Sequence, residues 1–240
     1  MSLARLIIPW AGAPEEGAQI ELDRESAHHL SVLRLHPGDA LELLLPGGAW
    51  RGDLVASGKQ GALVRLVRPL EESREAPHCL EAWLPLTAQL SLWDEWLPPL
   101  VELGVTLFQP VVYARSEYDA RRTLARMDRW RRIIQGAVAQ SHRSRIPELR
   151  DPCPFETLLD RKAGPRWVAY EGPWAQPNPR LQDADLAFTS GPEGGIDPRE
   201  FEALCRAGWQ PVTLGRTILR AVTAPVALAG AVQFGWSAHS

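Results

Sequence analysis

Residues 187 to 195 read AFTSGPEGG, an apolar run that breaks into a loop of three glycines, a proline and a glutamate. Such a loop lets backbone N–H and C=O groups approach a ligand closely, because glycine carries no Cβ. The two common phosphate-binding forms are excluded. There is no terminal Gly-Lys-Ser/Thr of the Walker kind, and no Gly-x-Gly-x-x-Gly opening a helix. Glu193 also places a negative charge where a phosphate would sit. The chemistry that remains is the cradling of a ligand that is not a nucleotide polyphosphate. A plainer use of the same residues is a tight turn into a helix, since Asp197 suits an N-cap and Pro198 the first helical position. No His, Cys and carboxylate cluster has metal-ligand spacing, and no Gly-x-Ser-x-Gly elbow points to a hydrolase.

A second group of residues bears charge. The chain has a net charge of −3, yet ten arginines lie between Arg115 and Arg150 against only Glu117, Asp119, Asp128 and Glu148. A basic island in an acidic protein is a candidate RNA contact. Arg122, Arg126 and Arg129 form a row along one helix, where a solvated face is the alternative, and SHRSR at 141 to 145 continues the basic run.

These residues need a frame. Its 240 residues, 45% of them hydrophobic and 23% charged, suit one large or two smaller globular domains. The first apolar run is broken by Pro9, too soon for a signal segment or a membrane span, so a cytoplasmic protein with no membrane association is expected. Cys79, Cys153 and Cys205 lie far apart and read as reduced thiols. In the first seventy residues, RLIIP, ALELLLPGG, AWRGDLVAS and GALVRLVRPL read as strands, with a helix of about two turns within residues 25–39. LEESREAPH, residues 70 to 78, reads as a linker. The pattern then changes to strand–helix alternation: CLEAWLPL, a helix through Leu103, VTLFQPVV, a long helix from about Asp119 to Ser141, RWVAYEG, DLAFTS, a helix from Asp197, QPVTLG and a terminal helix. That alternation predicts a parallel sheet covered by helices. Ligands of open α/β sheets sit beyond the carboxyl ends of the strands, which singles out Glu171-Gly172-Pro173, Ser190 to Gly195 and Leu214 to Arg220. In the long helix Met127, Trp130, Ile134, Ala137, Val138 and Ser141 share one face.

GPEGG, followed after about twenty residues by LGRTILRAVTA at 214 to 224, resembles the ribosomal RNA small subunit methyltransferase E family. HHLSVLRLHPGD at 28 to 39, VELGVTLFQPVV at 101 to 112 and AQSHRSRIPEL at 139 to 149 match in the same order, so the resemblance covers nearly the whole chain. It implies two domains: a PUA-like RNA-binding β-barrel over 1–72, and an α/β SPOUT methyltransferase domain over 73–240 whose C-terminal chain forms a trefoil knot. It also implies S-adenosyl-L-methionine as methyl donor without a metal, N3 of a uridine in 16S rRNA of the small subunit as target, and a homodimer. Ser190, Gly191, Gly194, Gly195, Leu214, Gly215, Ile218, Leu219 and Thr223 carry over as the cofactor cradle, and Arg220 as the catalytic cation. For RNA, His29 and Arg34 in the first domain and Arg143 and Arg145 after the long helix are the expected contacts. Helix capping is the other role open to Thr223, and an interior or capping position the other open to His28 and His29. The chain departs from the family pattern at Thr217, where arginine is usual, Val222 (glutamate), Ala139 (glutamate) and Pro99 (lysine). These leave two further readings: a relative that binds rRNA without methylating it, and a methyltransferase for another RNA.

Overall fold

The computed structural model describes residues 3–10, 12–46, 48–70, 75, 78–172, 176–177 and 185–234. Most of the expected linker and Pro173 lie outside the described residues. The chain divides into two compact units, residues 1–75 with 142–145 and residues 76–141 with 146–240.

In the first unit, β1 (Ala4–Ile7), β2 (Gln19–Leu22), α1 (Arg24–Val32), β3 (Ala40–Leu45), β4 (Gly48–Gly58) and β5 (Gly61–Pro69) follow in order. The strands form one sheet in the order β1-β3-β4-β5-β2, antiparallel except where β1 runs parallel to β3. Alternation places Leu41, Leu43, Leu54, Val64 and Leu66 in the core with Ile20, Leu22, Ala27 and Leu30. The strand β2 escaped the sequence reading because QIEL is four residues long and half polar; only Ile20 and Leu22 point inward. Asp23 starts α1 by accepting a hydrogen bond from the Ser26 N–H at 2.8 Å. The helix ends in a Schellman motif, with Leu35 N–H donating to Leu30 C=O and Arg34 N–H to Ser31 C=O, both at 3.0 Å. Arg34 takes the left-handed position of that motif (φ 57°), which glycine usually fills.

The second unit contains β6 (Leu80–Pro85), α2 (Ser91–Glu102), β7 (Leu107–Val112), α3 (Ala120–Ser141), β8 (Glu148–Leu149), β9 (Cys153–Pro154), α4 (Phe155–Asp160), β10 (Arg166–Ala169), β11 (Gln176–Pro177), β12 (Leu186–Thr189), α5 (Pro198–Arg206), β13 (Gln210–Thr213) and α6 (Ala224–Gln233). Its sheet runs β11-β13-β10-β12-β6-β7-β8, with β9 also paired to β7, and every pairing is parallel. Such a sheet is buried on both faces, and LAFT in β12 is buried at all four positions. The strand order is consistent with the knotted chain that the resemblance implies.

The helices cover the sheet with the faces their spacing predicts. Met127, Trp130, Ile134, Ala137 and Val138 of α3 are buried, joined by Thr123. Trp130 stacks on Trp93 of α2 at 4.7 Å, and Trp93 meets Trp96 edge to face at 5.9 Å. Burying an indole removes about 150–250 Å² from water, worth on the order of 4 kcal/mol each. Trp93 also donates its Nε1–H to the Pro85 carbonyl at 3.1 Å, so the cluster ties α2 and α3 to the end of β6. In the arginine row of α3, Arg126 and Arg129 reach Asp94 of α2 at 3.5 and 2.9 Å; these two cations hold helices together. Among the described residues no helix is long and apolar enough to cross a membrane.

Candidate active site

Three loops leave the carboxyl ends of β10, β12 and β13 on the same edge of the sheet. They enclose a cavity of about 520 Å³ lined by residues 169–171, 190–196, 213–215, 217–221 and Ala224, with Arg115 from the loop after β7. Parallel strands produce this convergence, since all their carboxyl ends point one way. α5 is launched from the second loop by its Asp197 N-cap, which accepts from the Arg199 N–H at 2.9 Å.

Glycine is required here for two different reasons. A Cβ on Gly191 would lie 2.7 Å from Ile196 Cγ1 and 3.0 Å from its backbone nitrogen, so the loop closes on itself only around glycine. Gly215 has φ 127° and faces open space, so there the backbone conformation and the room for a ligand matter. Just before Gly191, Ser190 is buried, and its Oγ has no hydrogen-bond partner among the described residues. A buried hydroxyl left unpaired costs about 1–3 kcal/mol, and a polar ligand in the cavity would satisfy it. Arg115 closes the mouth: its Nη1 donates to the Gly194 carbonyl at 2.8 Å, and its Nη2 lies 3.5 Å from Asp197.

Arg220 is exposed at the cavity wall, and its guanidinium pairs with no group among the described residues. Its backbone is held firmly. The Arg220 carbonyl accepts from the N–H groups of Thr223 and Ala224 at 2.9 and 3.0 Å, which begins α6. Trp96 Nε1–H donates to the carbonyls of Ala221 and Val222, both at 3.2 Å. A fully buried indole from α2 thus fixes the loop that carries the free cation. Behind β12, Tyr113 and Thr189 share a buried hydrogen bond at 2.7 Å, and burial raises the Tyr113 phenol well above its ordinary value.

The cavity therefore brings together Ser190, Gly191, Gly194, Gly195, Leu214, Gly215, Ile218, Leu219 and Arg220. Thr223 is not on its lining; it stands at the N-cap of α6, without a side-chain capping hydrogen bond among the described residues. Two further residues line the cavity: Tyr170, directly after β10, and Arg115, which no local signal marks because it enters from the end of β7. Thr217, a departure from the family pattern, also faces the cavity.

The basic residues divide. His29, Arg34 and Arg145 are exposed in the first unit. Arg143, an expected RNA contact, is buried: its side chain is only 4% exposed and pairs with Glu75 through Nη2 at 2.6 Å and Nε at 3.1 Å. The Glu75 carboxylate also accepts the backbone N–H groups of Ser144 and Arg145 at 2.7 and 2.9 Å. Burial pushes its pKa up, but the Arg143 hydrogen bond and charge, with those two N–H groups, outweigh it and hold the carboxyl below its ordinary value. Arg5 donates to the Arg143 carbonyl and pairs with Glu42 at 3.0 Å. Arg143 is a latch inside the first unit.

An all-parallel sheet with a glycine-lined cavity at its carboxyl edge, joined to a small mainly antiparallel unit, is the architecture of a class of RNA methyltransferases. Residues 88–233 match the RNA methyltransferase domain family, and residues 22–67 match the RNA methyltransferase PUA domain. The chain belongs to the ribosomal RNA small subunit methyltransferase E family. It is 34% identical over 237 residues to the member from Synechocystis, covering 90% of this chain and 74% of that one. The Bacillus subtilis member is 28% identical over 238 residues, covering 92% and 91%. The crystal structure of the Neisseria gonorrhoeae member, bound to S-adenosyl methionine, superposes with a TM-score of 0.87 at 28% identity and 98% coverage of both chains.

Proposed function

We propose that this protein uses S-adenosylmethionine to methylate N3 of a uridine in 16S rRNA of the small ribosomal subunit. The observation that carries this reading is one cavity lining that joins the Ser190 hydroxyl and the Arg220 guanidinium, both without a partner among the described residues, with an open glycine cradle. When bound, the cofactor supplies an electrophilic methyl group on a sulfonium. The glycine loops and Leu214, Ile218 and Leu219 offer backbone polar groups and apolar surface to a ligand of this kind. Reaction at N3 requires that the base leave its stack and that the imide proton depart, leaving negative charge over O2 and O4. Arg220 supplies a fixed positive charge for that anion, because a guanidinium does not deprotonate. Residues 1–72 act as the RNA-binding PUA-like domain, with His29 and Arg34 among its contacts, residues 73–240 act as the methyltransferase domain, and Arg145 is a further RNA contact. The protein works as a cytoplasmic homodimer.

Thr217 favours a second reading, since a neutral side chain faces the cavity where the family pattern has arginine. In that reading the chain binds rRNA without methyl transfer. One experiment separates the two: the protein is incubated with radiolabelled S-adenosylmethionine and unmethylated small subunits, with Arg220→Ala as control. Label recovered as 3-methyluridine in 16S rRNA, and lost in the control, supports methylation. Protein that binds subunits but transfers no label supports the second reading.

A further inference from the structure

The first unit holds a depression of about 850 Å³ between α1 and the turn joining β4 to β5. Arg24, His28 and Ser31 sit on one face of α1, at helical spacings of four and three. Ser57, Gly58 and Lys59 form the opposite wall, with Ala27 and Glu25 completing it. The unit pairs two buried cations with carboxylates, Arg5 with Glu42 and Arg143 with Glu75. Arg24, His28 and Lys59 are treated differently, being exposed and without an ion pair or side-chain hydrogen bond among the described residues. Two fixed positive charges, an imidazole and two hydroxyls therefore line one groove, with Glu25 as its only carboxylate among the described residues. A chain of phosphates would find a charge or a donor on both walls of this groove.

We propose that this groove holds the phosphodiester backbone of the RNA substrate, with Arg24 and Lys59 as the charged contacts and His28, Ser31 and Ser57 as hydrogen-bonding groups. The inference rests on the methyltransferase reading for the identity of that RNA. Each Lys or Arg seated on a phosphate releases condensed counterions, so the contacts must show in the salt dependence of binding.

The test uses the full chain with S-adenosylmethionine, titrated with unmethylated small subunits and, separately, with protein-free 16S rRNA between about 50 and 200 mM salt. The double variant Arg24→Ala/Lys59→Ala is expected to bind both RNAs roughly tenfold more weakly at the low-salt end, with a slope of log K against log salt shallower by about 1.5. Glu25→Gln is expected to tighten binding two- to threefold, on the order of one unfavourable charge contact removed. In the double variant KM for RNA rises while kcat at saturating RNA and cofactor affinity stay at wild-type values, with a matching thermal melt. Wild-type affinity and slope in the double variant would overturn the proposal. A loss seen with subunits but absent with free rRNA would also overturn it, assigning the groove to a ribosomal protein. Should the wild type bind RNA without transferring methyl groups, the methylation reading falls and the groove is judged on the same affinities. A wild type that binds neither RNA sinks both.

Discussion

Arg143 and Arg220 are the same residue type, both in short loops at helix ends, and the fold uses them in opposite ways. Arg143 is enclosed, with a carboxylate receiving two of its N–H groups and a second arginine on its carbonyl. Arg220 has its backbone fixed by α6 and Trp96, while its guanidinium beside the cavity has no partner among the described residues. A buried ion pair gives conformational definition, because separating its members is far more costly than never having had them. A free charge on a rigid backbone gives the opposite service: it is available to an anion that forms during a reaction. Neighbouring sequence does not distinguish the two, since both lie among arginines and small residues.

The largest expected effect is on the latch. Glu75→Gln leaves the Arg143 charge buried without its counter-charge and is expected to lower folding stability by about 3–5 kcal/mol in chemical denaturation. The pH dependence has a definite sign. The folded-state pKa of Glu75 lies below its ordinary value of 4.5, so its contribution is complete above pH 4.5 and is lost as pH falls through the lower, folded value. Wild type should therefore lose stability below pH 4.5 more steeply than the variant; parallel curves would show that Glu75 is not a latch. Arg220→Ala is next, and it must act on chemistry alone. Methyl transfer is expected to fall by about 10²–10³ in kcat, equivalent to about 2.7–4 kcal/mol, with cofactor affinity and melting temperature unchanged. Arg220→Lys should restore a fraction, because lysine keeps the charge but not the planar fork. A stability loss in Arg220→Ala would erase the contrast with Arg143.

The parts of the molecule legible in the sequence are those where one local rule acts alone. Asp197-Pro198 announced α5, the 3.6-residue spacing of Met127 to Val138 announced the buried face of α3, and the apolar runs announced nearly every strand of four or more residues. The GPEGG loop was placed at a strand end by the same logic. Short elements such as β8, β9 and α4 were not legible, because two-residue strands exist only through the neighbour they pair with. The burial of Arg143 is not legible for a related reason. Its partner Glu75 lies 68 residues earlier, so the pair is a product of tertiary structure and has no local signal. Arg115 and Trp96 belong to the site through β7 and α2, which the chain brings to the loops from about 80 and 125 residues away.

Trp96 tests whether a rigid backbone is what makes Arg220 useful. Trp96→Phe keeps an aromatic ring against Trp93 but removes the N–H that holds the Ala221 and Val222 carbonyls. The expected stability loss is about 1 kcal/mol, the net worth of such a hydrogen bond. If the bond positions Arg220, kcat should fall roughly tenfold with little change in KM for either substrate, in line with the sensitivity of rate to small misplacements. A loss of stability without a change in kcat would make Trp96 a core residue only.

The smallest effect concerns Arg145, two residues beyond the latch. Its backbone N–H belongs to the Glu75 cluster, but its side chain is exposed, so backbone and side chain have separate roles. Arg145→Ala retains the backbone bond and should leave stability within about 0.5 kcal/mol of wild type, as for other surface substitutions. RNA affinity should fall roughly threefold, with a salt slope shallower by about 0.7–0.9, the signature of one phosphate contact. Arg143→Ala should give the reverse pattern, a large loss of stability with an unchanged salt slope in whatever protein remains folded. If both variants changed the slope alike, the guanidinium of Arg143 would have to leave Glu75 when RNA binds, and the latch would be a switch.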